Sequence, residues 1–191
     1  GCDLGRFGAD AMTWQFRGGG AREHVSTRPN GGLFDAWHMG QRELRPKSGK
    51  VSAAALGLER LVPQDIVAVA PGRQRYAQFT NNDGGILDDL MVANFGSHLF
   101  LVVNAACKAA DEAHLRAHLS DVCLIEPLPD RALVALQGPR AESVRPKLCA
   151  ESAAMRFIAS GPRRGAASHC LVAQPSGQGS SLPGQPRAGV F

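Results

Sequence analysis

Residues 73–94 constrain the fold more than any other stretch of this chain. Arg73 to Thr80 reads as a strand, the cluster Asn81-Asn82-Asp83-Gly84-Gly85 follows, and Ile86 to Asn94 reads as a second strand. Asn, Asp and Gly tolerate the left-handed backbone that a tight connection requires, so the pattern predicts an antiparallel hairpin. Two adjacent acids, Asp88 and Asp89, stand inside its second strand among Ile86, Leu87, Leu90, Met91 and Val92. Successive strand side chains point to opposite faces, which sends Asp88 with Ile86, Leu90 and Val92 one way and Asp89 with Leu87 and Met91 the other. Whichever face is covered, one carboxylate loses water, and that is costly unless a partner is supplied. Such a group is a candidate acid or base with a perturbed pKa. The competing reading leaves both acids wet near the mouth of the hairpin.

The hairpin sits in a regularly patterned zone, Leu33 to Ile158. His38 to Leu44 reads as a short strand. Val51, Ala54, Ala55, Leu58, Leu61 and Val62 recur at helical spacing, with Ser48 available as a cap and Pro63 just past the end. After the hairpin, Leu99 to Asn104 predicts a third strand and Lys108 to Leu119 a helix. Val122 to Ile125 and Ala132 to Leu136 are further strands, and Pro139 to Leu148 is a last helix that Pro146 complicates. Helices interrupting antiparallel strands predict an α+β fold, an antiparallel sheet with helices on one face. No internal repeat or P-loop is visible.

The two ends differ from this zone. Gly1 to Gly32 is rich in Gly and Arg with scattered aromatics (Phe7, Trp14, Phe16) and no sustained period, which reads as loop. Ala159 to Phe191 holds six Gly, four Pro and five Ser, so it cannot bury enough surface to offset its ordering entropy and reads as a disordered tail. In all, 191 residues, 44% of them hydrophobic and 20% charged, suit one domain or a little more. No apolar run approaches the ~18 residues of a spanning helix, and no secretory apolar segment opens the chain, so no membrane association is expected. The cysteines (Cys2, Cys107, Cys123, Cys149, Cys170) are odd in number and form no CxxC pair. That argues against a disulfide framework and a zinc site, and for a reducing compartment. The net charge of +4 includes three arginines and no acid after Ala159. The remainder is nearly neutral, which gives little support for nucleic-acid binding.

Further candidates are single residues. Asn104, at the end of Phe100-Leu101-Val102-Val103-Asn104, has an amide that can read a heterocycle through donor and acceptor edges, or can cap the helix that follows. Tyr76, the sole tyrosine, can supply a ring and hydroxyl to a pocket beside the acids or serve in the core. His38 opens a strand and reads as structural. His114 and His118 lie four apart on a helix, yet without a third ligand they read as a solvated face. The basic run Arg42, Arg45, Lys47 and Lys50 also reads as a solvated face, since no aromatic is interleaved to stack on bases.

Taken together, several of these segments resemble one family. Leu33-Phe34-Asp35, His38-Met39-Gly40-Gln41, Arg75-Tyr76, Asn81 to Val92 (NNDGGILDDLMV), Leu101 to Cys107 (LVVNAAC) and Ala135 to Pro139 (ALQGP) resemble, in order, the aminomethyltransferase or T-protein of the glycine cleavage system. The likeness covers about residues 1–158. The absence of a Lys-Gly-Cys-Tyr motif disfavours the iron–sulfur assembly branch of the same folate-dependent superfamily. The resemblance implies a folate-binding α+β fold of ferredoxin-like units, in which residues 33–158 form the folate-binding domain. It implies transfer of an aminomethyl group from the lipoyl arm of H-protein to tetrahydrofolate, a co-substrate attacking through N5, with no metal. The products are 5,10-methylenetetrahydrofolate, ammonia and dihydrolipoyl H-protein. Asp89 falls at the catalytic carboxylate and Asn104 at the amide that bonds the pterin, which favours binding over capping there. Met39, Tyr76 and Met91 fall at positions lining the same pocket. The implied location is cytoplasmic in a bacterium and mitochondrial in a eukaryote.

The departures carry expectations of their own. Ala36-Trp37 precedes His38 where family members have small residues, and Gly1 to Gly32 is a degenerate version of the family's opening segment, in which Phe7, Met12, Gln15 and Phe16 still align. A YTGEDGFE-like segment, whose Tyr and Glu complete the folate site, is replaced by Gly177-Gln178-Gly179-Ser180-Ser181. The expectation is a truncated or frame-shifted copy of about the first half of the enzyme. Its alternative function is that of a catalytically inactive folate-binding or interaction module.

Overall fold

A computed structural model of the chain describes residues 2–7, 10–148, 150, 160–164, 169–173 and 189–190. In chain order the elements are β1 (Cys2–Phe7), β2 (Asp10–Phe16), α1 (Gly20–Thr27), β3 (Gly32–Asp35), β4 (Gly40–Pro46), α2 (Val51–Leu58), β5 (Arg73–Thr80), β6 (Ile86–Asn94) and β7 (Leu99–Val103). They continue with α3 (Lys108–Leu119), β8 (Cys123–Pro127), β9 (Val134–Gln137), α4 (Ala141–Leu148), β10 (Ser160–Arg164), β11 (His169–Ala173) and β12 (Gly189–Val190). Two compact units emerge: Met39–Arg131, and the chain ends Gly1–His38 with Ala132–Phe191.

The Met39–Arg131 unit is a five-stranded antiparallel sheet of order β5-β6-β7-β4-β8. Its hairpin forms where expected. Asn81 builds the turn, its side-chain Oδ1 accepting from the backbone N–H of Asp83 at 3.1 Å and of Gly85 at 2.7 Å. Gly84 supplies the positive φ of 81° that an L side chain rarely adopts. A register shift between Phe79 and Thr80 leaves Leu87 as the extra residue of a bulge, after which Asp88 lies opposite Phe79 and Asp89 opposite Gln78.

Alternation then gives the sheet two faces. Leu44, Ala77, Phe79, Leu90, Val92, Leu99, Leu101, Val103, Cys123 and Ile125 point to one face, where Ala54, Ala55 and Leu58 of α2 and Leu115 and Leu119 of α3 complete a single buried cluster. Each fully buried Leu or Phe of such a cluster contributes roughly 1.5–3 kcal/mol relative to exposure. The fold is thus α+β, with both helices on one face. Gly40 lets the start of α3 approach β4, since a Cβ there would stand 2.7 Å from Val103 Cγ2 and 2.9 Å from Lys108 Cβ.

Three local readings change. Arg42 is not on a solvated face: β4 alternation turns it inward, where it is 4% exposed, pairs with Glu112 at 3.3 Å and donates to the Lys108 carbonyl. Ser48 does not cap α2; its hydroxyl accepts from Lys50 N–H at 3.3 Å, and Lys50 holds the cap position without a side-chain bond. The opening residues are not loop. β1 and β2 pair antiparallel, and α1 is set by Glu23, whose Oε1 accepts from Phe16 N–H at 2.6 Å. α1 buries no residue, so it has no apolar period to read.

In the unit of the chain ends, β3 pairs antiparallel with β9, Leu33 opposite Leu136. The sheet order is β10-β11-β12-β9-β3. Within 159–191, read from composition as a tail, residues 160–164, 169–173 and 189–190 are strands of this sheet; the rest of that stretch lies outside the described residues.

Candidate functional site

The two acids of β6 part as alternation requires. Asp88 joins Leu90 and Val92 on the helix-covered face and is buried. Asp89 lies on the opposite, open face and is exposed. The acid that loses water is therefore Asp88, the neighbour of the one the sequence resemblance singles out.

Asn104 joins the two. Its Nδ2 donates to Asp88 Oδ1 at 2.8 Å, to Asp89 Oδ1 at 3.0 Å and to the Asp89 carbonyl at 3.2 Å, while its backbone N–H reaches Asp88 Oδ2 at 3.4 Å. Only the nitrogen edge of an amide can face carboxylates, so the two acids set its orientation and leave the oxygen as its acceptor edge. Asn104 does not cap α3. That position is held by Cys107, without a side-chain cap bond.

The remaining expected residues gather on the open face. Tyr76 of β5 is 40% exposed and stands directly opposite the half-buried Met91, which in turn is opposite Val102 of β7. Asp89 is two residues from Met91 on the same face, across from Gln78. Met39, half-buried, immediately precedes Gly40, which pairs with Val103, so it sits at the sheet end where Asn104 leaves β7. A ring, two thioethers, a carboxylate and an amide at one end of one sheet face can receive a flat heterocycle, the apolar groups lying against it and the polar groups taking its edge.

Behind this face lies an acid that sequence reading passed over. Asp111 of α3 is 4% exposed, and its pKa is raised from 3.8 to about 7, first by burial and then by its hydrogen bond and charge contact with Asp88; Arg42 opposes the shift. Cys107 also bonds Asp88, and its thiol is pushed up by burial and by the acids around it. The spacing that would have revealed Asp111 is its place one turn into α3, on the stripe of Leu115 and Leu119.

Other candidates hold structural positions. His118 Nδ1 lies 2.8 Å from the His114 carbonyl, and the His114 ring packs edge-on against Phe79 at 5.4 Å. Among the described residues no group of three or more His, Cys, Asp or Glu could hold a metal ion, and no helix is long and apolar enough to cross a membrane. Glu43, on the open side of β4, is surrounded by Arg45, by Arg131 at 3.7 Å and by His98 at 3.7 Å.

Known proteins are similar to this chain. A mitochondrial aminomethyltransferase from Dictyostelium discoideum is 33% identical over 171 residues, 84% of this chain and 41% of the relative. An aminomethyltransferase from Synechococcus elongatus is 40% identical over 126 residues, 63% of this chain and 32% of the relative. In three dimensions the chain is similar to the glycine cleavage system aminomethyltransferase T of Bartonella henselae, with a TM-score of 0.79 at 26% identity, covering 100% of this chain and 49% of that one. A heterotetrameric sarcosine oxidase from Corynebacterium sp. U-96 shares the fold alone, with a TM-score of 0.57 at 16% identity, covering 89% of this chain and 80% of that one. The chain therefore spans less than half the length of these aminomethyltransferases. The hairpin, both acids and Asn104 all fall inside residues 1–176, the stretch that the model of the GCVT N-terminal domain matches, and it is to that family that the chain belongs.

Proposed function

We propose that the open-face site binds tetrahydrofolate and belongs to an aminomethyl-transfer reaction whose donor is the lipoyl arm of H-protein. The observation that carries this reading is the Asn104 amide held between Asp88 and Asp89, beside Tyr76 and Met91. In the reaction the donor's C–S and C–N bonds break and the carbon bonds to N5 and N10 of tetrahydrofolate. The two protons released from those nitrogens go to ammonia and to the dihydrolipoyl thiol. Asp89 is the catalytic carboxylate: it faces the pterin nitrogens and can accept and return a proton as the C–S bond opens. Asn104 reads the pterin edge, and Met39, Tyr76 and Met91 bound its plane.

Calorimetric titration of the chain with tetrahydrofolate tests the binding. Saturable heat that is lost in Asp89→Ala supports it, and no saturable heat from the unsubstituted chain overturns it. Addition of aminomethylated, lipoylated H-protein then separates two outcomes. Formation of 5,10-methylenetetrahydrofolate identifies a transferase. Binding without product identifies a folate-binding module of the same family.

A further inference from the structure

The Asp88–Asp111 contact belongs to no residue role assigned above, yet it stands directly behind the amide on which the folate reading depends. Asp111 reaches Asp88 from the first turn of α3, and Asp88 accepts from both the side-chain and backbone nitrogens of Asn104. Asp111 Oδ2 is buried and has no hydrogen-bond partner among the described residues. An ionised carboxylate would leave a charged oxygen there without a donor, whereas a neutral carboxyl can place its O–H on Asp88 and leave only a carbonyl oxygen bare. Arg42 spends its Nη2 on Glu112 and the Lys108 carbonyl, and neither its Nε nor any other donor among the described residues bonds Asp111 Oδ2.

We propose that the buried Asp111 carboxyl, in its neutral form, donates to Asp88 and so fixes the Asn104 amide, making both acids positioning residues for the ligand edge formed by Asn104 and Asp89. With Asp111 protonated, its O–H occupies one part of the Asp88 carboxylate and directs the rest toward Asn104. With both ionised, two like charges meet in a covered site and the pair must separate or admit water. Asn104 then loses its anchor on the covered side and keeps only its contacts to the exposed Asp89. The proposal names residues of the same folate site and rests on that reading for its ligand.

The charged and titratable groups facing the pair are Arg42 from β4, Glu112 behind it on α3, and Cys107 in the turn before α3. Cys107, pushed above its ordinary value, stays protonated where Asp111 titrates. Burial lowers the Arg42 guanidinium from its ordinary range, and its charge contacts with Glu112 and Asp111 oppose that shift.

The test follows the Asn104 side-chain NH2 resonances of the full chain from pH 4 to 9, in the unsubstituted protein and in Asp111→Asn. A single step with its midpoint near pH 7, absent from Asp111→Asn, is expected. Asn104 resonances that do not move through that range, or that move equally in the variant, overturn the proposal. Should Asp111→Asn fail to fold, the unsubstituted chain decides by itself: the Asp111 carboxyl carbon and the Asn104 NH2 are expected to move in one common step, and separate steps overturn the proposal. A calorimetric arm with tetrahydrofolate at pH 6 and pH 8 separates this proposal from the folate reading. An affinity about tenfold weaker at pH 8, levelled in Asp111→Asn, supports both. The Asn104 step without tetrahydrofolate binding upholds the pair and removes the folate reading. Equal binding at both pH values without the step does the reverse.

Discussion

The two faces of the five-stranded sheet come from the same strands one residue apart, and they treat the same chemistry in opposite ways. On the covered face, Asp88 is surrounded by Leu90, Val92 and the helices and is met by Asn104, Asp111 and Cys107. On the open face, Asp89 has water and one edge of Asn104. A buried acid must be fully partnered to be tolerated, while an exposed one stays available to a ligand. The contrast assigns stability to one side of the strand and leaves the other side open for the proposed recognition.

The largest effect that sharpens this contrast is a cavity on the covered face. Phe79 is fully buried and packs against His114, so Phe79→Ala is expected to cost about 3–5 kcal/mol in urea unfolding. Leu87, 47% exposed at the bulge, is the matching probe outside the core, and Leu87→Ala should stay within about 0.5 kcal/mol. Comparable losses at the two positions would break the division of faces.

Next in size is the pH dependence from Asp111. Its folded pKa is raised to about 7 from 3.8, so between those values the folded chain keeps a proton that the unfolded chain has lost. The stability that Asp111 contributes is then greatest below about pH 4, falls as pH rises toward 7 and levels above it. A shift of one unit corresponds to about 1.4 kcal/mol, so the whole window amounts to roughly a few kcal/mol. Thermal unfolding across pH 4–8 measures it. Asp111→Asn should flatten the curve and exceed the unsubstituted chain in stability at pH 8. An unchanged slope would show that the covered face does not hold a neutral acid.

Asn104, which belongs to both faces, should give an intermediate loss. Asn104→Ala leaves Asp88 short of its side-chain donor, at a cost of about 1–2 kcal/mol. Asn104→Asp should cost more, because a third acid replaces the donor that the other two share.

The covered face was also the legible part of the molecule. β5, β6 and α3 fall at the residues expected from period and turn chemistry, because their side chains pack against a core that enforces a period. Arg42 misled because charge was given more weight than the alternation of β4, which turns it inward beside Leu44's face of the strand. β1, β2 and α1 were illegible for a different reason. α1 buries no residue that a period could mark, and β3 and β9 find each other a hundred residues apart, a pairing no local window contains. Of the proposed site residues, the acid pair, Asn104 and Tyr76 stand out by residue type and position, and the family resemblance selects Asp89 and adds Met39 and Met91. Asp111 was missed because its meaning depends on Asp88, which reaches it only once α3 lies across the sheet.

The smallest stability effect is expected at Asp89, and there the contrast is most demanding. Asp89 is exposed, and its one side-chain hydrogen bond is an edge of Asn104 that Asp88 also holds. Asp89→Asn should therefore change unfolding free energy by no more than about 0.5 kcal/mol. The same substitution replaces the carboxylate proposed to face the pterin nitrogens with a neutral amide, so tetrahydrofolate heat should fall at least tenfold in affinity. Asp88→Asn inverts the pattern: it keeps the size of the group, replaces one of the two acceptor oxygens that face Asn104 and Asp111 with a donor, and should cost stability first and ligand only through Asn104. Equal stability losses for Asp88→Asn and Asp89→Asn would mean that both acids are structural. A retained ligand in Asp89→Asn would move recognition off the open face altogether.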